Sequence, residues 1–193
     1  IEFHMPFGFK EVEGIHSRTD FDLSQHEKYS GRQIKYFDPE TGESYTPYDI
    51  ETSIGVDRMF LSVMCHAFEE EKLENGETRT VLHLPEQLAP VKLAVLPLVR
   101  KDGLPELADK IVKDLRYHFN CKYEDKDSIG KRYRREDEIG TPYCITFDFD
   151  TVGDEANGIA ADHCVTIRER DSMEQVRIPI DQVRDFLREK CAF

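Results

Sequence analysis

The stretch 48–70, YDIETSIGVDRMFLSVMCHAFEE, changes its periodicity halfway along. Tyr48, Ile50 and Thr52 alternate with Asp49, Glu51 and Ser53, the two-residue period of a strand with one buried face. Gly55 breaks the alternation. From Val56 the apolar residues recur at helical spacing, through Phe60, Val63, Met64, Ala67 and Phe68. A strand that turns directly into an amphipathic helix therefore anchors the first half of the chain. Glu51, Ser53 and Arg58 are polar groups placed close to this core element. Arg58 falls in the first helical turn, where the helix dipole disfavours a cation. It either pairs with Asp57 or Glu51 or faces an anionic partner.

Upstream of this stretch, residues 9–16 (FKEVEGIH) read as a short strand interrupted by Gly14. A short helix follows, with Asp22 or Ser24 as its cap and Gly31 as its stop. Arg18 lies among Glu11, Glu13, Asp20 and Asp22, a mixture that suits a structural charge network as well as a ligand site. Residues 32–37 and 43–52 flank DPETG, whose Asp38, Pro39 and Gly42 are hairpin chemistry. The first half is thus antiparallel sheet plus one helix, too little to bury both faces of the sheet. The chain also opens on the apolar IEFHMPFGF without an initiator methionine, so the sequence is expected to be a piece of a longer protein.

Downstream, the helix is expected to run out through EEEKLENGETR, Asn75-Gly76 marks a turn, and TRTVLHL reads as a strand. Two prolines in LPEQLAPVK (84–92) break regular structure, which places the domain division there: 1–88 and 89–193. LAVLPLV (93–99) is a continuous apolar strand of the kind covered on both faces. A helix over 105–119, an edge strand at CKYED, a helix over 128–140 and strands at 143–149, 163–169 and 174–180 follow. Residues 181–190 form a last amphipathic helix. This order predicts a mixed sheet of about five strands covered by helices.

The totals narrow the function. A formal net charge of −13 argues against a general nucleic-acid coat but leaves room for a local basic face. Five cysteines without a CxxC pair read as reduced cytosolic thiols, which points to the cytoplasm. No run is long enough to span a membrane, and no signal peptide opens the chain. The seven histidines are scattered, with no HExxH and no Cys/His cluster, so no zinc or other metal site is expected from spacing. There is no GxGxxG, Walker A or nucleophile elbow. One basic run does stand out: Lys126, Lys131, Arg132, Arg134 and Arg135, with Tyr133 among them and Arg168, Arg170 and Arg177 on the late strands. Such a patch can neutralise phosphates while an aromatic stacks on an unpaired base. The competing reading is a solvated helix face balanced by Glu136, Asp137 and Glu138.

Taken in order, EGIHSRTDFDL (13–23), ETSIGVDR (51–58), APVKLAVLPL (89–98), SIGKRYRREDEIGTP (128–142) and VTIRERDSMEQVRI (165–178) resemble the glycyl-tRNA synthetases of the homodimeric type. ETSIGVDR resembles the third signature motif of class II synthetases, and the second half resembles their C-terminal anticodon-binding domain. The resemblance implies a truncated class II antiparallel sheet with its motif-three helix, of α+β type, over 1–88. It implies a mixed five-stranded α/β anticodon-binding domain over 89–193. Arg58 matches the catalytic motif-three arginine that contacts the γ-phosphate of ATP. Glu51 and Ser53 match positions that hold the amino group of glycine, with Glu51 also at the ATP site, and Arg18 matches the arginine near the glycine carboxylate. His16 departs from the alanine of the family pattern, which makes it a variant pocket-wall residue. Lys131, Arg132, Arg135, Arg168 and Arg170 are the implied tRNA contacts.

The implied reaction is activation of glycine by ATP with Mg2+, then transfer to the 3′ end of tRNA(Gly), by orientation and electrostatics rather than a covalent protein intermediate. The first and second signature motifs are absent from these residues. The isolated chain is therefore expected to be inactive and to lack the main homodimer interface of the full-length enzyme. A non-enzymatic RNA-binding accessory protein derived from a class II synthetase is the alternative.

Overall fold

In the computed structural model, which describes residues 1–153 and 157–192, the chain begins with a hairpin of β1 (Glu2–Met5) and β2 (Gly8–Glu11). Gly8 closes its two-residue turn at φ 101°, a conformation that favours glycine. β3 (Glu13–Thr19) leads into α1 (Phe21–Ser30), which Gly31 ends in the left-handed conformation. Asp20, not Asp22 or Ser24, is its N-cap. Asp22 sits in the first turn, where the dipole favours its charge. β4 (Tyr36–Phe37) and β5 (Ser44–Tyr45) form the expected hairpin, closed by a Gly42 N–H to Asp38 carbonyl bond of 2.8 Å.

β6 (Asp49–Ile54) and α2 (Val56–Ala67) are the strand and helix read from 48–70. β6 pairs antiparallel with β3, Glu13 opposite Ile54 and His16 opposite Glu51, and the register shifts between Ser17 and Thr19. The expected buried face of β6 is not formed among the described residues. All six of its residues are exposed, Ile50 at 69%, because no further strand or helix of the described residues covers either face of the two-stranded ribbon.

The chain divides into two compact units between Cys65 and His66. The composition change at 84–92 lies downstream of that division, and the reason is the segment expected to be the tail of α2. Phe68–Lys72 is instead a strand, β7, paired with β8 (Thr78–Leu82) through the Asn75-Gly76 turn. Its glutamates alternate across the ribbon, so every second carboxylate meets a cross-strand partner rather than lining one helix face.

The remaining elements are β9 (Leu93–Pro97), α3 (Leu104–Leu115), β10 (Cys121–Tyr123), α4 (Ile129–Glu138), β11 (Tyr143–Phe147), α5 (Phe149–Val152), β12 (Cys164–Glu169), β13 (Gln175–Pro179) and α6 (Val183–Cys191). Their strands make the expected mixed five-stranded sheet, in the order β10-β9-β11-β12-β13. β9 pairs parallel with β10 and β11, and β12 and β13 continue antiparallel. β9 is an interior strand and wholly buried because its alternate residues serve two cores. Leu93 and Val95 meet α3 and α6, through Leu104, Ile111, Leu115, Val183 and Leu187. Ala94 and Leu96 meet Cys144 and, on α4, Ile129 and Tyr133. Each such leucine or isoleucine contributes about 1.5–3 kcal/mol when fully buried. All five cysteines are free thiols, and burial pushes that of Cys121 up to about 11. No described helix is long and apolar enough to cross a membrane.

Candidate functional site

Strand geometry assembles the first candidate site. Residues two apart on a strand share a face, as do residues directly opposed across a ladder. Gly14 opposes Ser53 and His16 opposes Glu51, so these four share one face of the β3–β6 ribbon. Arg18 stands at the register shift and reaches the same side. Its Nε lies 3.4 Å from a Glu51 carboxylate oxygen and 2.7 Å from Asp22. The hydrogen bond with Asp22 raises the Arg18 pKa and lowers that of Asp22, so this pair stays charged. The His16 ring fills the space above Gly14, where an added Cβ would come within 2.5 Å of its Nε2. That leaves an exposed polar face with an anion and a cation side by side.

Arg58 projects from the first turn of α2. Neither Asp57 nor Glu51 is its partner; its Nη1 donates to the Glu11 carbonyl at 2.9 Å. One backbone bond leaves the other guanidinium donors uncommitted among the described residues. The structure thus brings Arg18 and Glu51 together, with Ser53 two residues along β6, and fixes Arg58 through the backbone of β2.

The basic run of the second unit behaves differently. Lys131 is exposed, and Arg135 is half-buried, bonded to Asp127 and to the Lys126 carbonyl at 2.9 and 2.8 Å. Arg132, Arg168 and Arg170 are 2%, 5% and 3% exposed. Arg132 donates to the carbonyls of Pro97, Leu98 and Glu124, holding the ends of β9 and β10, and burial lowers its pKa. Arg168 forms a two-pronged pair with Asp137 at 2.8 and 3.0 Å. Burial disfavours its charge, but the bonds to Asp137 outweigh that and raise its pKa. Arg170 donates to the carbonyls of Gly140 and Leu84 and to Asp171. All three guanidinium groups are buried and bonded inside the protein, the Arg132 Nε lacking a partner among the described residues, so their place is structural rather than at the surface. Glu136 and Asp137, read as balancing charges on a solvated face, are fully buried. Tyr133 is also engaged: Arg168 stacks on its ring at 4.8 Å and its hydroxyl meets Thr146 at 2.6 Å.

Residues beyond the basic run complete this network. Arg79, from β8, is buried against Glu71, Asp137 and the Arg170 carbonyl. Its place in the short alternating run TRTVL, between threonines, is the one sequence signal that marked it. Next to α4, a cleft of about 230 Å³ opens between Leu98, Ile129, Tyr133, Thr146, Asp148, Thr166 and Gln175. It lies beyond the carboxyl ends of β9 and β11. The connections that leave these two strands run in opposite directions, that of β9 toward β10 and that of β11 toward β12, and open α/β sheets bind ligands at such a switch point.

Residues 92–190 match the sequence family described as Anticodon binding domain. Over the whole chain, the glycine–tRNA ligase of Geobacillus kaustophilus is 53% identical and that of Staphylococcus haemolyticus 54%. The glycine–tRNA ligase of Caldanaerobacter subterraneus is 53% identical. Each comparison takes in 100% of this chain and 40% of the relative, so the chain spans about 40% of the length of the curated relatives it matches.

Proposed function

The chain belongs to the anticodon binding domain family, and from that premise we propose that it forms part of a glycine–tRNA ligase. In this reading residues 1–88 supply one wall of the aminoacylation site and residues 89–193 bind the anticodon. The observation that carries it is the face shared by Glu51, Ser53 and Arg18. Glycine is a zwitterion with no side chain to grip, so recognition falls on its two charged ends. Glu51 and the Ser53 hydroxyl receive the ammonium, and Arg18, already turned by Asp22, receives the carboxylate. Arg58 adds positive charge for the polyphosphate of ATP, and Glu51 borders the same nucleotide. Mg2+ bound with the nucleotide would supply further positive charge against the phosphates. The glycine carboxylate oxygen then attacks the α-phosphorus and pyrophosphate leaves; the terminal ribose hydroxyl of tRNA(Gly) next takes the glycyl group and releases AMP.

Anticodon recognition is assigned to the cleft beside α4, with Lys131 and Arg135 as the basic residues nearest the surface. The homodimer of such an enzyme, and its cytoplasmic location, belong to the same reading. The test is glycine-dependent ATP–pyrophosphate exchange. The full-length ligase is expected to exchange and the 193-residue chain is not. In the full-length enzyme, Arg18→Ala is expected to raise the KM for glycine far more than that for ATP, and Arg58→Ala the reverse. Exchange by the chain alone, or equal effects of the two substitutions on both substrates, overturns the assignment. A full-length protein that binds tRNA(Gly) yet exchanges with no amino acid is instead an accessory RNA-binding protein.

A further inference from the structure

The β7–β8 hairpin carries a second constellation, with no part in the reading above. Glu69 and Glu71 lie two apart on β7, and His83 follows β8 on the same face of the ribbon. One ligating atom from each of the three lies within 4.8 Å of the others. The His83 ring has its Nδ1 2.7 Å from Asp171 Oδ1. A carboxylate only accepts, so Nδ1 is the donor there and Nε2 is free to present its lone pair. That lone pair points among further acceptors, with Glu71 Oε1 at 3.0 Å and Glu69 Oε2 at 3.6 Å. Nε2 is nevertheless buried and has no hydrogen-bond partner.

Three acceptors gathered around one point repel one another unless a cation sits between them. An ion about 2.0–2.2 Å from each ligand sets ligands at right-angled or tetrahedral positions about 2.8–3.6 Å apart, and the separations of 3.0 and 3.6 Å from Nε2 fall within this span. The surrounding groups behave as supports. Asp171 fixes the tautomer and turns the ring, while Arg79 holds the far oxygen of Glu71, Oε2, at 2.7 Å and leaves Oε1 facing inward. Glu69 is exposed and can swing onto an ion.

We propose that Glu69, Glu71 and His83 form a binding site for a divalent transition-metal ion. Zinc fits best: one imidazole and two carboxylates are its common ligand types, whereas magnesium and calcium favour all-oxygen sets. The site adjoins the turn after β12 through the bond from His83 to Asp171. Spacing in the sequence hides the site, because the hairpin brings together residues from either side of the Asn75-Gly76 turn.

The test is cobalt(II) titration of the chelator-stripped full chain, followed by zinc competition. One ion per chain is expected, with visible d–d absorption and no intense near-ultraviolet thiolate band. His83→Ala is expected to abolish binding. Glu69→Gln, at an exposed position that folding does not depend on, is expected to weaken it at least tenfold. Three results overturn the proposal: unchanged affinity in both variants, a thiolate band placing the ion on cysteine, or no uptake.

Discussion

The two units use arginine in opposite ways. In residues 1–65, Arg18 on the exposed β3–β6 ribbon and Arg58 on the first turn of α2 lie at the surface, and among the described residues Arg58 has a single side-chain hydrogen bond, to a backbone carbonyl. From His66 onward, Arg79, Arg132, Arg168 and Arg170 are buried and bonded to carboxylates and carbonyls. A buried guanidinium is tolerated only when it is paired and hydrogen-bonded, so those of the second unit are committed to the fold. An exposed guanidinium with spare donors adds little to stability and stays available to a ligand. The contrast separates function from architecture by the state of the donors rather than by residue type.

The strongest attempt to break this comparison is to remove one interior arginine and one surface arginine and measure unfolding. Arg168→Ala leaves Asp137, which is 0% exposed, facing only Arg79 at 3.4 Å. Breaking a buried pair in this way costs about 3–5 kcal/mol. Arg58→Ala is expected to change stability by no more than about 0.5 kcal/mol, as an exposed position does. Denaturant titration of both variants decides it. Similar losses in the two would show that the interior network carries no special share of stability.

A smaller effect tests the same rule at intermediate burial. Arg177 on β13 bonds Asp148, the N-cap of α5, at 2.7 and 3.0 Å, and also Asp162 at 2.6 and 3.0 Å. Hydrogen bonds with Asp162 and then Asp148 raise the Arg177 pKa. Burial works against the charge of Asp148, but the bonds from Arg177 and Thr151 prevail and hold its carboxyl below the ordinary 3.8. Asp162 is lowered as well, chiefly by its Arg177 bond. A carboxyl depressed in the folded state adds stability above its unfolded pKa and loses it as pH falls through the folded one. Arg177→Met should therefore cost about 1.5–3 kcal/mol at pH 7, the worth of a charged hydrogen bond. The gap to the parent should narrow as pH falls below 3.8, the unfolded carboxyl value. A loss independent of pH would mean that Arg177 acts through packing alone.

Much of the fold was legible because it rests on local periodicity. The run LAVLPLV announced a doubly covered strand, and Pro105, Leu107, Ile111 and Leu115 announced α3, since burial on both faces and a helical stripe leave direct traces in sequence. The turns at Gly42 and Asn75-Gly76 were equally plain. Phe68–Lys72 was not, because a glutamate run carries no period of its own and its strand state comes from pairing with β8. The burial of Glu136, Asp137, Arg168 and Arg170 was hidden for a related reason. Opposite charges scattered over distant elements look like a solvated surface until the fold places them together. At the candidate glycine site, the shared face of Glu51 and Ser53 followed from the strand period. The approach of Arg18 did not, since it depends on the register shift between Ser17 and Thr19.

The smallest expected effect concerns the surface residues that remain from the basic run. Lys131 is exposed on the first turn of α4, and Ile129 of the same turn lines the cleft at the switch point of the sheet. If this face meets the unpaired anticodon loop, each phosphate that Lys131 neutralises releases condensed counterions. Its removal then lowers the slope of log affinity against log salt by about 0.7 per phosphate lost. Lys131→Ala should show that change in filter-binding or anisotropy titrations with tRNA(Gly) at several salt concentrations. Its unfolding midpoint should not move, since no described residue uses its charge. Arg132→Met makes the complementary control. Its guanidinium is buried and bonded through both Nη atoms to the Pro97, Leu98 and Glu124 carbonyls, so it should unfold earlier while the salt slope of the remaining folded protein stays at the parent value. A slope lowered by Arg132→Met and untouched by Lys131→Ala would reverse the division between committed and available cations on which the comparison of the two units rests.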